Sequence, residues 1–295
     1  MNPVNIIRSI VSGPLNQGRP VRALWRFAKW QVGSRLAPGP IVVPWVNGTR
    51  FIASPGERGV TVNIYNGLYE FADMAYVLHV LRHEDWFLDV GANVGSYTLL
   101  ACGAAGAQGY AFEPVPSTFE RLVANLRLNG LEGRVRAVNQ GLGDNPTTLR
   151  FSTERNCTNH VLAEDERVER SVEVSVTTLD AVADHSPAMM KIDVEGFEMP
   201  VLRGASRVLA DPTLNSLLIE LNGSGARYGF DDSELVDLLE SYGFRPYQYE
   251  PFQRRLAALE QRHNEEGNTL FVRDLARARE RVESAAPFSI FDRQI

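Results

Sequence analysis

Asp89-Val-Gly-Ala-Asn-Val-Gly95 decides how this chain is read. It follows an apolar run, Trp86-Phe87-Leu88, and leads into Ser96-Tyr97-Thr98-Leu99-Leu100-Ala101, which favours a helix. A buried strand that breaks at glycines into a helix presents backbone N–H groups to a ligand. Gly91 and Gly95 can take positive φ, or let a ligand approach the backbone with no Cβ in the way. A second strand, Tyr110-Ala111-Phe112, ends in Glu113, whose carboxylate can accept both hydroxyls of a ribose. The two strand ends together predict a nucleoside cradle in an α/β protein. The plainer alternative is a glycine-rich βα turn in an unrelated α/β fold.

Two nucleosides compete for the cradle. A nicotinamide dinucleotide expects G-x-G-x-x-G, because the central glycine lets the pyrophosphate approach the helix N-terminus. Here that position is Asn93, and Gly91 and Gly95 are spaced G-x-x-x-G. Asp89 stands two residues before the first glycine; its carboxylate would repel a pyrophosphate and attract the ammonium of a methionine moiety. S-adenosylmethionine carries that ammonium and a sulfonium but no phosphate, so it is the expected cofactor. A nicotinamide-dependent sugar oxidoreductase is the alternative enzyme. A catalytically silent scaffold with the same fold is the alternative outside catalysis.

The 295 residues allow one large α/β domain plus an extension, and the 44% hydrophobic and 22% charged shares are those of an ordinary globular protein. A net charge of −6 gives no global attraction to nucleic acid, which is not an expected partner. Cys102 and Cys157 are too few for a disulfide framework or a zinc site, in keeping with a cytoplasmic setting. No apolar run reaches the ~18 residues a membrane helix needs, and no signal-peptide core is visible. Charge is uneven, however: Met1 to Gly56 holds no acid, but does hold Arg8, Arg19, Arg22, Arg26, Lys29, Arg35 and Arg50. Within it, Val21-Arg-Ala-Leu-Trp-Arg-Phe-Ala-Lys-Trp30 mixes aromatics with cations. Such a helix either packs its aromatics on the catalytic domain or makes peripheral contact with an anionic membrane.

Along the chain, residues 1–84 are expected to form an irregular basic extension. Its prolines and glycines separate short β-like pieces such as Ile41-Val42-Val43 and Thr61-Val62-Asn63-Ile64-Tyr65, and a helix is expected over Leu68–Leu81. Residues 85–274 alternate strand and helix: strands Trp86–Val90, Tyr110–Glu113, Arg134–Asn139, Met189–Val194 and Leu214–Leu221, with helices near Gly95–Ala105, Ser117–Asn129, Phe197–Leu209 and Asp232–Tyr242. Leu149–Ser152 and Val172–Val176 are expected as extra strands around a polar segment. Phe244–Tyr249 and Thr269–Arg273 lack a convincing crossover helix between them, which predicts an antiparallel last strand on an otherwise parallel, doubly wound sheet. Residues 275–295 are expected as a charged helix and a loose tail.

Four ordered motifs resemble those of the FkbM family of S-adenosylmethionine-dependent methyltransferases. They are Asp89–Thr98, Phe112-Glu-Pro-Val-Pro116 with Asn125-Leu-Arg-Leu-Asn129, Lys191-Ile-Asp-Val-Glu-Gly-Phe-Glu198 with Val201-Leu-Arg-Gly-Ala205, and Ile219-Glu-Leu-Asn222. The resemblance runs from about Trp86 to Arg273 and leaves the N-terminal region uncovered. It implies a class I, Rossmann-like methyltransferase fold and O-methylation of a hydroxyl on a sugar, glycolipid or polyketide-type metabolite.

Within that fold, strand-end polar residues are the expected site. Asp89 and the Gly91–Asn93–Gly95 loop would hold the methionine part and Glu113 the ribose. Leu142 and Asp144, in the loop after the third strand, would contact adenine. Lys191, Asp193 and Glu195 are expected on the acceptor side, with Glu220 and Asn222 orienting a hydroxyl there. Charged residues inside an apolar central strand demand partners, so a purely structural Lys191–Asp193 or Lys191–Glu220 ion pair is the alternative. Asp193, Glu195 and His160, the last in Asn156-Cys-Thr-Asn-His160, are the candidate general bases. Asp193, Glu220 and Asn222 could also bind Mg2+, although no spacing requires a metal. A small-molecule or glycan acceptor is the expected partner, and a homo-oligomer is left open.

Overall fold

The computed structural model describes residues 3–37, 39–153, 159–163, 166–264 and 267–295. The N-terminal part comprises α1 (Pro3–Ser12), α2 (Pro20–Leu36), a hairpin of β1 (Ile41–Pro44) and β2 (Arg50–Ala53), α3 (Arg58–Asn66) and α4 (Phe71–Val80). Pro20 opens α2 where a missing N–H costs nothing. The expected β-like piece Thr61–Tyr65 is helical. Its branched residues favour a strand by propensity, but Val60, Asn63 and Tyr65 are buried when the segment is helical, and packing overrides propensity.

The chain then supplies β3 (Trp86–Val90), a short helix α5 (Ser96–Thr98) running into a π-helical turn, β4 (Gln108–Phe112), α6 (Pro116–Leu128) and β5 (Val135–Val138). Three further strands follow: β6 (Gly141–Leu142), β7 (Thr147–Ser152) and β8 (Ser171–Thr177), which form a small separate sheet in the order β6-β8-β7. After α7 (Leu179–Val182) come β9 (Met189–Ile192), α8 (Glu198–Arg203), α9 (Ser206–Ala210), β10 (Ser216–Glu220) and α10 (Asp232–Ser241). The last strands of the main sheet are β11 (Arg245–Glu250), β12 (Arg255–Ala258) and β13 (Asn268–Val272); β12 lies between the two strands expected over Phe244–Tyr249 and Thr269–Arg273.

The main sheet has the order β12-β11-β13-β10-β9-β3-β4-β5. Strands β5, β4, β3, β9 and β10 are parallel, and β13 pairs antiparallel with β10, Ser216 opposite Val272. The antiparallel closing strand expected from the sequence is therefore present. The chain winds outward from β3 through β4 to β5, then returns to lay β9 on the other side of β3. That reversal makes β3/β9 the switch point, where two connections leave in opposite directions and open a crevice at the carboxyl ends of the strands.

Strand alternation sorts each strand between two cores. Leu88, Val90, Met190, Ile192, Leu217 and Ile219 face one core, covered by residues of α8, α9 and α10. Phe87, Met189 and Leu218 face the other, which includes Ile10, Trp30, Phe51, Val60 and Met74 of the N-terminal part. The extension thus shares a continuous core with the sheet. At the C-terminus, α11 (Leu275–Glu283) packs against α4 and is followed by a hairpin of β14 (Ser289–Ile290) and β15 (Arg293–Gln294). The expected loose tail is instead anchored. Ile290 and Ile295 are buried, and Phe288 and Ile295 exchange both backbone hydrogen bonds.

Asn125 and Asn129, one turn apart on α6, join the two parts of the chain. The Asn125 carboxamide accepts from Ile52 N–H at 2.8 Å and donates to the Val94 carbonyl at 2.8 Å. Asn129 accepts from Arg50 N–H and donates to the Arg50 carbonyl, both at 2.8 Å, as a neighbouring strand would. Asn125 is 1% exposed, so its loss orphans two backbone groups away from water. Asn125→Leu should lower the unfolding free energy by roughly 2–4 kcal/mol, read from urea midpoints at constant slope.

Candidate active site

The site begins with the turn after β3. Gly91 sits at φ +82°, and a Cβ there would stand 1.8 Å from the Asp193 carbonyl oxygen. The end of β3 is therefore pressed directly on the end of β9, and Asp193 N–H donates to Val90 at 3.0 Å. Asn93 also has positive φ, +51°, a conformation asparagine tolerates better than most residues. Its N–H donates to Glu113 Oε2 at 3.0 Å, and Val115 N–H donates to Oε1 at 2.9 Å. Glu113 thus clamps the glycine loop to the end of β4 and keeps a further lone pair on each oxygen. Burial pushes its pKa up to about 7.

On the extension side of the sheet the register sets Asp89 opposite Lys191, and Lys191 opposite Leu218. Asp193 and Glu220 lie two residues further along the same face. Lys191 is 2% exposed, and its Nζ contacts Asp193 Oδ2 at 2.8 Å and lies 4.7 Å from the Tyr97 ring centre. Burial alone would lower its pKa, but the carboxylates of Asp193, Glu70 and Asp89 outweigh burial and raise it. The structural ion pair is present, so Lys191 acts through Asp193. Asp89 is 1% exposed, accepts the Thr98 hydroxyl at 2.5 Å, and is raised to about 6 by burial against the pull of Lys191.

Asp193, Glu195 and Glu220 converge. Each offers a carboxylate oxygen within 4.8 Å of the others, a hard-oxygen set that could hold a divalent cation. Glu195 takes φ +57°, a strained value for a non-glycine, and Gly196 follows at φ +100° against the Ser224 carbonyl. Glu198 fixes this turn, accepting from Val194 N–H at 3.2 Å and Gly196 N–H at 3.1 Å. Burial, reinforced by Asp193 and other neighbouring acids, raises Glu195 to about 7 and Glu220 to about 8.

Two cavities meet at Gly91, Asn93, Asp193 and Glu195. One is a narrow cleft of about 70 Å³ beside Glu113, walled by Val115, Phe151 and Asn159. The other, about 750 Å³, runs from Asp89, Lys191 and Glu220 out between the sheet and the extension, past Tyr69, Phe27 and Trp30. That volume is within the range of small-molecule sites.

Not every expected residue is here. Leu142 is buried in the core between β6 and β8, and Asp144 is exposed; neither lines a cavity. Asn222 is exposed and spends its carbonyl oxygen on Ser224 N–H at 3.0 Å, so Glu195 replaces it in the oxygen cluster. His160 is 6% exposed and set apart from the cluster. Its Nε2 lies 2.8 Å from Glu166, its Nδ1 3.4 Å from Ser152 Oγ, and its backbone pairs with Ser152, so its contacts pin the polar segment to β7. Asn156, Cys157 and Thr158 of that segment lie outside the described residues.

Glu70, Asp73 and Asn268 were not signalled by the sequence, whereas Tyr97 lies within the Asp89–Thr98 motif without a role assigned to it. Tyr97 donates to Glu70 Oε2 at 2.7 Å, and Asn268 donates to Glu70 at 3.0 Å and Asp73 at 3.1 Å. Burial and the neighbouring Glu70 lift Asp73 to about 7. Only the packing of α4 over the sheet brings these acids to Lys191. Glu198 did have a signal, since it ends the Lys191–Glu198 motif.

A parallel sheet closed by an antiparallel strand, with an acid-lined crevice at its switch point, defines a Rossmann-like methyltransferase fold. The Methyltransferase FkbM domain profile matches residues 89–246, and the chain belongs to that family. It is 29% identical over 176 residues to the hexuronic acid methyltransferase AglP of Haloferax volcanii, covering 55% of this chain and 64% of that one. It is 30% identical over 210 residues to the 31-O-demethyl-FK506 methyltransferase FkbM of Streptomyces tacrolimicus, covering 59% and 78%. Among solved structures, the methyltransferase FkbM of Methylobacillus flagellatus KT is similar at TM-score 0.46 and 18% identity, covering 65% of this chain and 44% of that one.

The raised carboxylates set the pH behaviour. Glu195 and Glu220 start from an ordinary glutamate value of 4.5 and hold their protons to about 7 and 8 when folded. The folded state therefore binds more protons in between, and stability falls as pH rises through the folded values. His79, lowered by burial to about 4 from 6.5, works the other way only below about pH 6.5. Between about pH 6.5 and 8 the unfolding free energy should fall. Glu220→Gln should flatten that slope and add on the order of 1 kcal/mol at pH 8, solvent screening having trimmed the repulsion. Urea unfolding across pH reads both.

Proposed function

We propose that this protein transfers a methyl group from S-adenosylmethionine to a hydroxyl of a sugar, glycolipid or polyketide-type acceptor. The observation that carries the reading is the joining of the two cavities at Asp193, with the glycine loop and Glu113 on one side and the acid cluster on the other. The cofactor fits the residues present. Glu113 keeps lone pairs for two ribose hydroxyls, the glycine at 91 lets the turn close on the end of β9, and Asp89, in the larger cavity that meets the cleft at Gly91 and Asn93, offers a carboxylate for an ammonium. A pyrophosphate at that turn would meet Asp89, Glu113, Asp193 and Glu195, with Lys191 already paired, which disfavours a dinucleotide.

When bound, the cofactor supplies an electrophilic methyl on a sulfonium. The chain's residues do the rest. The large cavity aligns the acceptor hydroxyl, and alignment can provide roughly 7–11 kcal/mol. Asp193, held by Lys191, accepts the hydroxyl hydrogen bond and points the oxygen toward the cofactor side. Glu195 or Glu220 takes the proton, with pKa values close to neutrality suited to that task, for a further ~10²–10⁴-fold. A divalent cation among Asp193, Glu195 and Glu220 is a second reading, favoured by the 4.8 Å clustering; it would lower the hydroxyl pKa so that water could take the proton.

Calorimetric titration with S-adenosylmethionine, S-adenosylhomocysteine and NAD+ tests the reading. The two adenosyl ligands should bind and NAD+ should not; NAD+ binding alone would overturn it. Glu113→Ala should weaken S-adenosylmethionine at least about tenfold, one charged-group hydrogen-bond set being worth about 1.5–3 kcal/mol. Asp193→Asn should keep cofactor affinity within about threefold while turnover of an acceptor found by hydroxyl-compound screening falls at least about 100-fold. Equal loss of cofactor affinity in both variants would remove Asp193 from the acceptor side.

A further inference from the structure

Helix α2 has two unlike faces. Inward, Ala23, Trp30 and Ser34 are buried, and Phe27 meets Tyr65 edge-on with ring centres 5.1 Å apart. Outward, Val21, Trp25, Val32 and Leu36 are 79%, 69%, 59% and 79% exposed. At 3.6 residues per turn these four and Ala28 fall within an arc of roughly 80°. Arg22 and Lys29 border one edge of that stripe and Arg35 the other, all three exposed. Ile7 of α1 is also exposed, at 43%. The acid-free stretch Met1–Gly56 concentrates positive charge here in a chain whose net charge is −6. Asp292 of the C-terminal hairpin pairs with Arg19 and Arg22, beside the stripe rather than on it.

We propose that this face docks on an anionic lipid bilayer, with α2 lying in the interfacial plane. An apolar stripe bordered by cations, with a tryptophan in it, matches the boundary between acyl chains and negative headgroups. The charge pattern argues against a second copy as the occupant, because a symmetric contact through the stripe brings cation-bordered surfaces together. Docking this way also places the acceptor cavity beside the lipid, since Phe27 and Trp30, on the other side of the same helix, line it.

The test is cosedimentation of the full chain with phosphatidylglycerol–phosphatidylcholine vesicles and with phosphatidylcholine vesicles alone. The chain should pellet with the anionic vesicles at least about tenfold more than with the neutral ones, and high salt should release it. The double variant Trp25→Glu, Val32→Glu should lose about tenfold or more of that binding with an unchanged circular-dichroism melt. Should it fail to fold, Lys29→Glu, which reverses one exposed charge beside the stripe and leaves the apolar residues in place, should lower the anionic preference by several-fold. No pelleting of the unmodified chain with anionic vesicles overturns the proposal. So does equal pelleting with both vesicle types, or a dimer in sedimentation velocity that the double variant dissolves.

Discussion

A lysine buried in the middle of a parallel sheet constrains everything around it. Lys191 is on the third residue of β9, opposite Asp89 on β3 and beside Leu218 on β10, and nearly all of it is out of water. A buried ammonium without partners would cost several kcal/mol or shed its proton. Instead Asp193 holds it directly, Tyr97 offers its ring, and Asp89 and Glu70 surround it. The same charge lets several carboxylates approach one another at the strand ends. Without it, Asp89, Asp193, Glu195 and Glu220 would repel each other with little between them.

The extension completes this balance. Glu70 and Asp73 come from α4, and their hydrogen bonds to Tyr97 and Asn268 tie α4 to the turn after β3 and to the antiparallel strand β13. The N-terminal residues are therefore a wall of the large cavity and part of the electrostatic surroundings of Lys191. An extension that supplies both helps give the large cavity its shape, while the glycine loop and Glu113 belong to the sheet. The narrow cleft is thus walled by the sheet and its loops, the large cavity by the sheet and the extension together, and both reach Asp193.

Several of these groups titrate close to neutrality for one reason. Burial disfavours their charged forms and like charges stand nearby, so Glu113, Glu195, Glu198 and Glu220 carry protons well above the ordinary carboxylate range. Such a cluster stores repulsion in the folded state, which a cationic ligand relieves on binding. The strained turn at Glu195–Gly196, held by Glu198, fixes the Glu195 carboxylate beside Asp193 and Glu220.

The main-sheet strands, the glycine turn, the antiparallel last strand and the acids Asp89, Glu113, Asp193, Glu195 and Glu220 were legible in the sequence, because strand periodicity and glycine placement are local properties. Thr61–Tyr65 was misread because β-branched residues look the same in either element until something packs on them. Leu142, Asp144 and His160 were assigned by position in a loop and Asn222 by alternation at a strand end, but Leu142 is drawn into the apolar core and the hydrogen bonds of Asn222 and His160 turn them elsewhere. Lys191 could be recognised as needing a partner, yet which acid answers it depends on strand register and on the fold of α4 over the sheet. The sequence by itself determined which residues end strands and which turns admit a ligand. Tertiary structure alone decided which of those ends meet, because charges brought together from β3, β9, β10 and α4 interact through space and leave no trace in spacing along the chain.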